Sequence, residues 1–203
     1  ADIVYAEIQK THILEGAKMM SFEEGMAAGL IEYVGDDCKE ALYDAIKARS
    51  VRPELCKTAG LKLVYSPLNG SGLVPVTRIL NDIGIDDITI VPEQQYPDGN
   101  FPTCPYPNPE IFEALRLGLE LAEKSDADLM LATDPDADRV GIAIRDNEGK
   151  ITLLNGNQTA SILTYYLLRR WKELGKLNEN TYIVKTIVTT ELMAAMAKAY
   201  GVK

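Results

Sequence analysis

From residue 61 to residue 144, short apolar runs alternate with stretches whose apolar side chains recur every three or four positions. Runs of four or five apolar residues are strand-length, and the three-to-four period is that of a helix with one buried face. The pattern predicts strands over 61–65, 88–91, 129–132 and 140–144, with helices over 73–83 and 110–124. Gly84 stands where the first of these helices should stop, as a residue tolerant of positive φ does. Asn69-Gly70-Ser71-Gly72 and Asn147-Glu148-Gly149 are turns, and a Pro-rich stretch from Pro92 to Pro109 is too long for a plain connector. Such alternation implies an α/β fold, a mostly parallel sheet with helices on both faces, and working loops at the carboxyl ends of the strands.

The flanks read differently. In residues 1–33 a weak amphipathic pattern is interrupted by Gly16, Gly25 and Gly29, and Asp36 or Asp37 is placed to cap a helix over 38–48. Beyond Asn155, a helix over 158–174, a strand over 182–188 and a helix over 191–200 are expected. One helix–strand–helix set does not close a core, so this is read as a partial second α/β unit. The expected organisation is leading helices over 1–55, a main α/β domain over 56–154 and the start of a further domain over 155–203. Because the first residue is Ala1, and the helix before Gly201 looks unfinished at Lys203, the chain is expected to be a piece of a longer one.

Composition narrows the function classes. The 203 residues carry 30 acidic and 21 basic side chains, a net charge of −9. That balance argues against nucleic-acid binding, which needs a basic face, and against an anionic membrane surface. No apolar run reaches the roughly 18 residues of a membrane span. Cys38, Cys56 and Cys104 are odd in number and lack CxxC spacing, so they read as reduced thiols of a cytoplasmic protein.

The chemistry concentrates in Thr133-Asp134-Pro135-Asp136-Ala137-Asp138-Arg139, directly after the strand at 129–132. In an extended segment, residues i, i+2 and i+4 share a side. Three carboxylates on one side repel each other unless a cation lies between them, and hard oxygen ligands suit Mg²⁺. Pro135 stiffens the loop and Ala137 keeps it slim. Arg139 either offsets surplus negative charge or grips a phosphate. The bland alternative is a solvated acidic turn. A calcium hand is excluded by counting, because Arg139 and Arg145 stand where Gly and an acidic residue are needed. A haloacid-dehalogenase-type phosphatase, with Asp134 as nucleophile, is the other reading, although Asp138 occupies a position where that family prefers Thr or Val.

The same loop resembles the metal-binding loop of the α-D-phosphohexomutases, the phosphoglucomutase/phosphomannomutase family. Residues 65–72 resemble that family's second-domain Gly loop, residues 97–102 and 107–110 its following long loop, and residues 185–190 the first strand of its third domain. Pro135 and Ala137 are more similar to the phosphopentomutase-related branch, and Cys104-Pro105-Tyr106 replaces a His pair found in many members. The resemblance implies a four-domain enzyme. In it, a phosphoserine exchanges its phosphoryl group with a sugar monophosphate by way of a bisphosphate. Asp134, Asp136 and Asp138 would be the Mg²⁺ ligands and Arg139 a catalytic residue. The family's serine loop has no counterpart in this sequence, so the chain is expected to be inactive by itself, with the remaining domains of its parent as partners.

Overall fold

The computed structural model describes residues 2–12, 15 and 18–203. The expected break at Gly16 lies outside the described residues. The chain forms two compact units, residues 1–42 and 43–203. The first holds helix α1 (Asp2–Gln9) and helix α2 (Phe22–Ala27), and helix α3 (Asp36–Lys47) begins in it. Ser21 and Glu24 form a reciprocal capping box at the start of α2, each side chain bonding the other's backbone N–H. The Phe22 and Tyr33 rings meet edge-on, 6.4 Å apart. Asp36 and Asp37 lie in the first turn of α3 and not before it, where a negative charge favours the helix dipole.

The second unit continues with α4 (Pro53–Ala59), β1 (Lys62–Ser66), α5 (Leu73–Asp82), β2 (Asp87–Ile90), α6 (Phe112–Lys124), β3 (Leu129–Thr133), β4 (Val140–Arg145), β5 (Ile151–Leu154), α7 (Gly156–Glu173) and α8 (Leu192–Tyr200). The strands form one sheet in the order β2-β1-β3-β4-β5. Strands β2, β1 and β3 are parallel neighbours, while β4 is antiparallel to both β3 and β5. Only β4 is therefore reversed, and four of the five strands run one way. The α/β class stands, with a hairpin extension at one edge.

Side-chain alternation along the strands separates two cores. Val64, Met130, Ala132 and Ala143 face α6, where Ala114, Leu115, Leu119 and Ala122 close over them. Leu63, Leu129 and Leu131 face the other way and pack with Leu80, Ile83 and Ile85 around α5, and with Cys56 of α4. Helices thus cover both faces. Gly84 has φ 95° and sits against the backbone of Lys57, where a Cβ would lie 2.9 Å from the Lys57 Cα. The helix stop expected there is present, one residue beyond the C-cap Ile83.

Two departures from the sequence expectation concern strands. Strand β5 was not anticipated. It is a four-residue run that pairs with β4 across the 147–149 turn, where the Asp146 carboxylate accepts the amides of Glu148 and Lys150. Conversely, residues 182–188 form no strand among the described residues. Their β-branched side chains are largely exposed, Ile187 at 97% and Val184 at 80%. A strand needs a neighbour for its backbone groups, and here only Ile183 N–H reaches a ladder-like partner, the Lys203 carbonyl at 2.7 Å. The region beyond Asn155 is instead two helices, α7 and α8, packed around Leu168, Ala197 and Val202. A second capping box, Asn155 with Gln158, starts α7.

Candidate metal centre

Strand β3 ends at Thr133, and the acidic loop turns directly back into β4, with Thr133 paired to Val140. The loop is therefore the tip of a hairpin held by the sheet at both ends. Asp134 is fully buried, an unusual place for a carboxylate. Both of its oxygens are engaged by one residue. Asp134 Oδ1 accepts the Arg139 backbone N–H at 2.9 Å, and Oδ2 accepts Arg139 Nε at 2.8 Å. Inside the loop, the Ala137 amide donates to the Asp134 carbonyl, and Ala137 itself takes φ 61°.

Asp136 and Asp138 are exposed, yet one carboxylate oxygen from each of Asp134, Asp136 and Asp138 lies within 4.8 Å of the others. Oxygens sharing a Mg²⁺ at about 2.1 Å are separated by at most about 4.2 Å. A spread of no more than 4.8 Å is close to that limit, and the all-carboxylate donor set suits a hard divalent cation. The electrostatics agree. Burial pushes the Asp134 carboxyl up, but the Arg139 amide and guanidinium outweigh it and hold the group below the usual carboxylate range. Repulsion from Asp136 and Asp134 pushes Asp138 up. The pair with Asp134 raises Arg139 still further, so it is a permanent cation.

The neighbouring loops complete the site. The Gly loop crosses the acidic loop at its middle. Ser71 donates to the Pro135 carbonyl from both its backbone N–H, at 2.8 Å, and its hydroxyl, at 3.1 Å. Gly70 lies so close that a Cβ there would sit 2.2 Å from the Pro135 Cα. Beneath them, the buried Tyr65 hydroxyl and Thr133 Oγ1 are 2.8 Å apart, and a Cβ on Gly72 would strike both. The long 92–109 loop folds in from the other side. Phe101, Tyr106 and Asn108 line a cleft of about 510 Å³ together with Asp134, Pro135, Asp136 and Arg139.

Asp134, Asp136 and Arg139, three of the residues singled out from sequence, line that cleft, and Asp138 lies with the other two carboxylates in the same loop. The Gly loop, read from sequence as an anion-holding or merely tight turn, contacts the acidic loop. That contact bridges residues 64 apart, and no local pattern announces it. Other singled-out residues lie elsewhere. Arg78 pairs with Asp82 at 2.9 Å and covers the Tyr43 ring, and Lys185 pairs with Glu191.

Residues 40–149 match the family described as phosphoglucomutase/phosphomannomutase, alpha/beta/alpha domain II. The chain is 31% identical over 212 residues to the phosphoglucomutase of Staphylococcus aureus (strain N315), covering 96% of this chain and 38% of that protein. It is 33% identical over 175 residues to the phosphoglucomutase of Staphylococcus saprophyticus, covering 86% of this chain and 31% of that one. A crystal structure of a phosphoglucomutase/phosphomannomutase family protein from Burkholderia thailandensis superposes with a TM-score of 0.59 at 22% identity, over 80% of this chain and 32% of that one, and shows the same fold. The fold and the match over residues 40–149 define a phosphohexomutase-type α/β domain. The chain belongs to the phosphoglucomutase/phosphomannomutase family, and it spans about a third of the length of the curated relatives it matches.

Proposed function

We propose that this chain is the metal-binding portion of an enzyme that moves a phosphoryl group within a sugar phosphate. Its domains are proposed as leading helices over 1–55, the metal-binding domain over 56–154 and the start of the next domain over 155–203. Asp134, Asp136 and Asp138 would hold Mg²⁺. When bound, the ion would supply charge neutralisation to a phosphoryl group in transfer. Arg139 is fixed through Nε to Asp134, which leaves the outer edge of its guanidinium for phosphate oxygens. The phosphoserine that gives and takes back the phosphoryl group, and the loops that grip the sugar monophosphate and bisphosphate, would belong to other domains of the parent. A cytoplasmic setting is supported by three free thiols. Among the described residues no helix is long and apolar enough to cross a membrane.

The observation that carries this reading is the convergence of three carboxylate oxygens beside a cation-paired, buried Asp134, in a chain of this family. The phosphatase alternative is less well supported. That reading wants Thr or Val where Asp138 stands, and the chain's family is that of phosphoglucomutases and phosphomannomutases.

Two measurements test the proposal. Titration of the chain with Mg²⁺ is expected to show binding weaker than micromolar, lost in Asp136→Asn, because the phosphoserine oxygen that completes the shell is supplied from elsewhere. Micromolar or tighter binding would contradict the incomplete shell. In a coupled assay with glucose 1-phosphate, the parent enzyme is expected to turn over and its Asp136→Asn variant to lose that activity. The 203-residue chain alone is expected to be silent, and turnover by it would refute the division of labour.

A further inference from the structure

We infer that Gly70 and Ser71 are positioning residues of the metal centre, fixing the spacing of its ligands through the carbonyl of Pro135. The inference rests on the metal reading above. Pro135 is the residue between Asp134 and Asp136, so the orientation of its peptide sets the angle between those two side chains. That carbonyl accepts both donors of Ser71, the amide at 2.8 Å and the hydroxyl at 3.1 Å. Gly70 permits the approach, since even a methyl group there would overlap the Pro135 backbone, 2.2 Å from Cα and 2.4 Å from O.

The clamp is itself anchored. Asn69 adopts φ 56° and is 93% buried. Its side-chain amide donates to the carbonyls of Glu93 and Tyr96, its backbone N–H to the Gln94 carbonyl, and its own carbonyl accepts the Asp98 amide. Gln94, fully buried, bonds Ser66 and Thr103 as well. The Gly loop therefore rests on the 92–98 segment and presses against the acidic loop as a fixed wall. Asp136 and Asp138 are exposed, and Asp138 approaches Arg139 Nε at 3.7 Å. The aim of Asp136, the residue next to Pro135, is inherited from the backbone that Ser71 and Gly70 hold. Preorganising ligands in this way lowers the ordering cost of binding an ion.

The test uses Mn²⁺ as probe, with free ion quantified by electron paramagnetic resonance, alongside thermal melting in EDTA. Ser71→Ala keeps the amide donor and loses the hydroxyl. It is expected to weaken Mn²⁺ binding about three- to tenfold, the scale of one hydrogen bond, with melting in EDTA no more changed than by an ordinary surface substitution. Ser71→Thr restores the hydroxyl and is expected to recover most of the affinity. Gly70→Ala displaces the Pro135 backbone and is expected to weaken binding more and to broaden the bound-Mn²⁺ spectrum. Wild-type affinity in both Ser71→Ala and Gly70→Ala overturns the inference while leaving the metal reading intact. So does a loss that merely follows a parallel fall in melting temperature. If the unaltered chain shows no Mn²⁺ binding that Asp136→Asn removes, the metal reading fails and the clamp fails with it.

Discussion

Arg139 is the residue on which the acidic loop depends when no metal is present. It satisfies both oxygens of a fully buried carboxylate, one through its amide and one through its guanidinium. Arg139→Met removes the guanidinium but keeps the amide. Part of a buried charge is then left without a partner, at a cost of about 1–3 kcal/mol. The expected result is a lower melting temperature in EDTA and a larger rise on adding Mg²⁺, because the ion then becomes the chief counter-charge to Asp134. Equal Mg²⁺ response in variant and wild type would show that the two cations do not share that carboxylate. The three aspartates and Arg139 were legible because their spacing is itself the chemical signal. The burial of Asp134 and the left-handed backbone of Ala137 were not. An alanine carries no mark of positive φ, and the burial of a carboxylate depends on what packs over it.

The elements show the same division between local and distant information. Strands β1 to β4 and helices α5 and α6 were legible from their apolar period, because each buries a face in a sheet–helix core. Strand β5 and the absent strand at 182–188 were not, since both outcomes turn on whether a neighbour is present to pair. Leu115 is wholly buried in the α6 core. Leu115→Ala is expected to destabilise the chain by about 2–5 kcal/mol in urea titration, without altering Asp136-dependent metal binding. Glu123 ties α6 to the sheet edge by accepting the Ile151 amide at 2.6 Å and Arg145 at 3.2 Å. The Ile151 amide, then Arg145, hold its carboxyl below the usual range. A carboxyl lowered by folding adds stability above its unfolded pKa of about 4.3, and that contribution is lost as pH falls through the lower folded value. Glu123→Gln should therefore flatten the acid side of the melting-temperature profile below about pH 5. An unchanged acid limb would mean that the bond does not persist in solution.

At the scale of the whole molecule, the expected α/β sandwich is present, with two apolar cores divided by one sheet. The compact units meet at residue 42, inside α3, where no break in the amphipathic pattern announces a boundary. Within a chain of net charge −9, three carboxylates share the tip of the β3–β4 hairpin. Zipping that hairpin brings three like charges together before any bound ion can compensate them. Their repulsion acts as a brake on closure, and Arg139, carried in the same tip, releases it only in part. The consequence is kinetic: refolding after a denaturant jump should accelerate as chloride salts screen the tip, and millimolar Mg²⁺ should accelerate it beyond the effect of ionic strength alone. Asp138→Asn, with one charge fewer, should refold faster than the unaltered chain at low salt and lose that advantage at high salt.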